Sequence, residues 1–128
     1  MLNLDYRCME CAQKIVNSID KGDSKKMKEL ENNLRKALGV LQEDGVYAMF
    51  LWLESKDGKN IRKVLIELLN ESEIRKHLLT NSSNFPEDFS EFCEKLREIA
   101  LDIDKLLFVK KLLERTLIYA LYHTKIGE

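Results

Sequence analysis

Proline is almost missing from this chain. Pro86 is the only one, and glycine occurs five times in 128 residues. Both residues interrupt helices, one by removing an N–H donor and the other by loosening the backbone. So few breakers leave long helices with short connections as the expected organisation. Cysteine is also scarce: Cys8, Cys11 and Cys93 make an odd count that gives no disulfide framework and fits a reducing compartment. The two histidines, His77 and His123, stand far apart, so no paired-histidine metal motif is present. Long apolar runs are lacking too. The longest, Val46 to Leu53, falls far short of the roughly 20 residues a helix needs to span a bilayer. Met1-Leu2-Asn3-Leu4-Asp5 carries no basic stretch leading into an apolar one, so no secretory signal is expected. A Gly-rich phosphate loop, a nucleophile elbow and a His-Glu-x-x-His motif are all missing. The expectation is a cytoplasmic protein with no membrane association, no cofactor and no catalytic set of its own.

What remains is apolar and charged residues in helical order. Hydrophobic residues make up 45% of the chain, too many for disorder, and 34% are charged, too many for a membrane protein. One domain of this length can bury a core without metals or disulfides. The net charge of −1 hides a segregation. Residues 1–63 hold twelve Lys/Arg and ten Asp/Glu, residues 64–104 hold four and ten, and residues 105–128 hold five and two. The ends are basic and the middle is acidic, so local patches decide what the surface attracts.

The fold class expected is all-α, a compact bundle of about six or seven helices. Cys8, Cys11, Ala12, Ile15, Val16 and Ile19 fall on one face of a first helix over Leu4–Ile19. A second, Lys25–Leu41, carries the stripe Met27, Leu30, Leu34, Ala37, Leu38 and Leu41, with Asp23 or Ser24 as its cap. Val46–Leu53 is expected to be helical, because only Val46 is β-branched and nothing else offers strand partners. Its unbroken apolarity places it at the centre of the core, with Trp52 buried. Gly45 is expected in a left-handed turn between these two helices. Asn60–Leu69 is a short amphipathic helix that follows the break at Asp57-Gly58. Asn70 with Glu73, and Asn84 with Glu87 around Pro86, have the spacing of helix starts. Thr80–Asn84 is the one polar loop, and a long last helix covers Ile103–Lys125.

Two features invite a chemical reading. Cys8-Met9-Glu10-Cys11 is a C-x-x-C, but a zinc site needs two more ligands and a redox site needs a strand-to-helix context. Small apolar cysteines on a core face are the expected outcome. The second feature is basic. Lys25, Lys28, Arg35 and Lys36 share the helix face opposite the leucine stripe, with Asn32 between them. Lys59, Arg62 and Lys63 form a second cluster, and Lys110, Lys111 and Arg115 a third. Such faces can hold the phosphates of a nucleic acid without reading bases, although charge runs of this kind are more often a solvated surface. Tyr47, Phe50 and Trp52 are core residues on this reading rather than a stacking platform.

Two segments carry a resemblance. Leu38–Lys56, with its Asp44-Gly45 turn and the apolar helix after it, resembles the small helical subunit of CRISPR Cmr (type III-B) effector complexes. Phe108–Lys125 is similar to that family's closing helix. Two departures are visible: Asp44-Gly45-Val46-Tyr47 stands where the family usually has Asn-Gly, and Tyr119-Ala120-Leu121-Tyr122 where it tends to have a tryptophan. The small subunit of the type III-A Csm complex is a related alternative. The resemblance implies a non-catalytic structural subunit in RNA-guided antiviral defence, whose partners are other effector subunits and guide or target RNA. The competing reading is a helical protein–protein module unrelated to CRISPR.

Overall fold

The computed structural model describes residues 3–56, 58–79 and 83–126, and these form seven helices with no strand among them. They are α1 (Leu4–Asn17), α2 (Ser24–Asp44), α3 (Val46–Ser55), α4 (Lys59–Leu69), α5 (Ser72–Leu78), α6 (Phe89–Ala100) and α7 (Ile103–Ile126). No helix among the described residues is long and apolar enough to cross a membrane.

Helix α7 organises the rest. Its buried row of Val109, Leu112, Leu113, Thr116, Leu117 and Ala120 is wide enough to be covered by two neighbours, α1 and α2. Helix α1 offers Cys8, Ala12 and Ile15, while α2 offers Leu30, Leu34, Ala37 and Leu41. At the outer edge of the α1–α7 contact, Asp5 accepts hydrogen bonds from Tyr119 (2.5 Å) and Arg115 (3.2 Å). Helix α3 folds back on α2, and α4 packs against both α1 and α3.

Short side-chain oxygens start most of the helices. Asn3 accepts from the Tyr6 N–H, Asp23 from Lys26, Glu71 from Glu73 and Ile74, and Asp88 from Glu91. Two expected starts move. Asn70 ends α4 instead of starting α5, and α5 is capped one residue later by Glu71. The Asn84–Pro86 segment stays extended ahead of α6, whose cap is Asp88. Each asparagine is taken by a tertiary partner, Asn84 accepting a hydrogen bond from Arg75 of α5. The Asn70 side chain accepts the Phe85 N–H (2.7 Å) and donates to the Phe85 carbonyl (2.9 Å), so a tertiary clamp takes precedence over the local cap. The clamp sets Phe85 edge-on to Phe92 (5.9 Å between ring centres), and Phe92 in turn meets Phe50 of α3 at 4.7 Å. Thr80, Asn81 and Ser82 of the expected loop, and Asp57, lie outside the described residues.

Val46–Ser55 is helical as expected, but not buried all round. Val46, Met49, Phe50 and Leu53 face the core at helical spacing, whereas Tyr47 and Leu51 are exposed and Trp52 is half-buried. A short helix on the outside of a bundle has only one face to bury, whatever its composition.

Gly45 alone separates α2 from α3. Its φ of 100° and ψ of −178° place it in a region essentially restricted to glycine, further from ordinary backbone than the left-handed helical turn expected. A Cβ added there would touch nothing within 4 Å, so the penalty of substitution is torsional. Gly39 makes a natural control, since it is exposed inside α2 without a positive φ and also has open space around it. Gly45→Ala should cost about 1–3 kcal/mol, while Gly39→Ala should gain about 0.5–1 kcal/mol. Denaturant unfolding of the two variants checks the pair, and equal effects would refute the turn geometry. Asn70→Ala should cost about 1–3 kcal/mol by leaving the Phe85 backbone unpaired. A midpoint unchanged from the parent would show that the clamp is dispensable.

Candidate nucleic-acid interface

The four basic residues expected on the outer face of α2, Lys25, Lys28, Arg35 and Lys36, all point outward, opposite Leu30, Leu34, Ala37 and Leu41, and a fifth, Lys26, is exposed as well. Exposure does not leave them equally free. Glu31 lies within 3.8 Å of Lys28 and 3.4 Å of Arg35, at helical spacings of three and four, and is itself largely buried beneath them. Lys25 and Lys36 have no ion-pair partner among the described residues. Gly39 continues the same outer face without a side chain.

The α4 cluster behaves differently. Arg62 is only 15% exposed, and its guanidinium is used inside the fold. Its Nε lies 3.0 Å from Glu54, one Nη donates to the Glu87 carbonyl (3.3 Å), and the group sits 5.4 Å from the centre of the Phe89 ring. Arg62 therefore braces α4 against α3 and the start of α6. Lys59 shares Glu54 at 3.7 Å but is mostly exposed, and Lys63 is exposed with no ion-pair partner among the described residues. On α7, Lys111 is exposed and Lys110 half-buried, while Arg115 pairs with Asp5 at 3.2 Å. The three clusters thus sit on three helices, and no hydrogen bond or ion pair among the described residues joins one to another.

Glu31 was legible in the sequence, because its spacing to Lys28 and Arg35 is that of helical ion pairs. The roles of Glu54 and Asp5 depend on tertiary contacts and leave no such mark.

The cysteine pair is built into the core. Cys8 donates to the Leu112 carbonyl of α7 and Cys11 to the Val64 carbonyl of α4, each at 3.6 Å, so the two thiols engage different helices. Burial pushes all three cysteine thiols upward, Cys11 to about 12, with the neighbouring Cys8 adding to the effect. A thiol held protonated is a poor nucleophile and a poor metal ligand. No cluster of three or more His, Cys, Asp or Glu side chains suited to a metal occurs among the described residues. A groove of about 520 Å³ between α1, α2 and α4 contains Asp20 and Asp23, but their carboxylates already accept the N–H groups of Gly22 and Lys26.

No protein-family model, curated protein or solved structure matches this chain.

The raised Cys11 pKa fixes a direction. The folded state holds this proton more tightly than the unfolded one, so its contribution to stability is intact below about 9 and is lost as pH rises towards about 12. Near neutral pH, Cys8 and Cys11 should resist alkylation by iodoacetamide in the folded protein, and all three cysteines should react once it is denatured. Mass spectrometry of the labelled chain checks this, and rapid native labelling of Cys11 would restore a reactive-thiol reading.

Proposed function

We propose that this chain is a non-catalytic helical subunit that holds RNA by its phosphate backbone on the outer face of α2 and binds protein neighbours elsewhere. The observation that carries the reading is the charge on that face. Lys25 and Lys36 are exposed and have no ion-pair partner among the described residues, and Lys28 and Arg35 lie between them under the restraint of one glutamate. Positive charge on a rigid helix, without side chains that read bases, suits a phosphate strand of any sequence. Gly39 leaves bare backbone beside Lys36, which lets a strand come close.

Among assemblies that use such a subunit, the resemblance of Leu38–Lys56 and Phe108–Lys125 points to the small subunit of a CRISPR type III effector, Cmr or the related Csm complex. There the protein neighbours are the backbone subunits, and a weak contact to target RNA repeats along the assembly. Repetition raises the effective concentration, so a weak site on one copy becomes a strong one on several. A module that binds only protein remains the second reading, favoured by the exposed apolar residues Leu101, Ile103 and Leu107.

The test follows the charges. Lys25→Gln with Lys36→Gln should weaken binding of single-stranded RNA and lower the log–log salt slope by about 2. Glu31→Gln should do the opposite, releasing Lys28 and Arg35 to phosphate and tightening binding several-fold. Filter binding at two salt concentrations reads both variants, in the isolated chain and in type III complexes rebuilt around it. Unchanged affinity in every variant would reduce the α2 face to a solvated surface. Failure of the chain to enter complexes with the backbone subunits would remove the CRISPR assignment.

A further inference from the structure

An apolar groove of about 350 Å³ opens where α3, α6 and the start of α7 meet. Val46, Leu96 and Leu106 line it together with Tyr47, Ala100 and Arg97. Beside it, the α6–α7 connection and the first turns of α7 expose Leu101 (90%), Ile103 (63%) and Leu107 (50%). Continuous apolar surface of this kind on a small domain marks a contact site. The segments that frame it are acidic: Asp44 stands two residues before Val46, and Asp102 and Asp104 stand between Ala100 and Leu106. All three are exposed with no ion-pair partner among the described residues, but Asp102 already accepts the N–H groups of Asp104 and Lys105 at the start of α7, which leaves Asp44 and Asp104 free. Lys105, the nearest cation in that connection, is turned away to the Leu78 carbonyl at 3.3 Å.

We infer that this groove receives an amphipathic helix of another protein, one with an apolar stripe and basic flanks. The apolar lining takes the stripe, and the flanks meet the carboxylates of Asp44 and Asp104, which stand two residues from the lining residues Val46 and Leu106. Two other occupants fit less well. A small ligand would need several convergent polar groups, and the lining supplies one charged side chain, Arg97. A second copy docked groove to groove would set Asp44, Asp102 and Asp104 against their own counterparts. The inference concerns the protein-binding side of the molecule and stands independently of RNA binding by α2.

The probe is a synthetic helical peptide with leucines at i, i+3, i+4 and i+7 and lysine flanks, compared with the same peptide flanked by glutamates. The lysine-flanked peptide should bind the full chain about tenfold or more tightly than the other by fluorescence anisotropy. Ala100→Gln, which fills the groove from an exposed position, should weaken that binding by about tenfold or more with an unchanged circular dichroism spectrum. Asp44→Asn with Asp104→Asn should narrow the gap between the two peptides. The inference is overturned if neither peptide binds, if both bind equally, or if Ala100→Gln binds as the parent does. It is equally overturned if sedimentation shows a dimer that Ala100→Gln abolishes, which would assign the groove to a second copy.

Discussion

Val109, Leu113, Leu117 and Ala120 of α7 are fully shielded from water, and Leu112 and Thr116 widen that row to more than one neighbour can cover. The architecture follows from satisfying this one helix on two sides. Helix α1 supplies small residues, Cys8 and Ala12, where it approaches α7, and α2 supplies leucines. Thr116 is admitted to the buried row because its hydroxyl donates back to the Leu112 carbonyl at 2.9 Å, leaving no polar atom unpaired. Cys8 donates to that same carbonyl, so the C-x-x-C that draws the eye as chemistry is divided between two seams, Cys8 in α1–α7 and Cys11 in α1–α4.

A second constraint sits at the other end of the molecule. Residues 83–88, ahead of α6, have no helix to satisfy their backbone, and α4 supplies a partner for Phe85 through Asn70. Phe85 is thereby held against Phe92, and the ring contacts run on to Phe50 in α3. Arg62 completes the brace by combining an ion pair to Glu54, a bond to the Glu87 carbonyl and a position over Phe89. A residue this heavily used by the fold is a poor candidate for a mobile phosphate contact, whereas Lys25 and Lys36 have no such duties. The basic residues thus divide into those spent on structure and those left for a partner.

The surface divides as well. The outer face of α2 carries Lys25, Lys28, Arg35 and Lys36 alongside the exposed Glu29 and Glu43, whereas the α3–α6–α7 corner is lined mainly by apolar side chains.

Periodicity determined the helices by itself, because burial of one face every 3.6 residues is a local property of the chain. The leucine stripe of α2, the glycine between α2 and α3, and the outward direction of Lys25, Lys28, Arg35 and Lys36 were all legible in this way. Glu31 went unread although its pairing was open to the same reasoning, since ion pairs one helical turn apart need no tertiary information. The remainder depended on which helices meet. Asn70 and Asn84 have the local spacing of caps, yet Asn70 is drawn to Phe85 because an unpaired backbone in the next segment costs more than a lost cap. The apolar run at Val46–Leu53 looked like the middle of a core, and only packing on the flank of the bundle left Tyr47 and Leu51 outside. Arg62 was indistinguishable in sequence from Lys59 and Lys63 until the fold brought Glu54, Glu87 and Phe89 around it. The groove beside Leu106 has no sequence signature at all, because its walls come from three helices and its floor exists only once they have met.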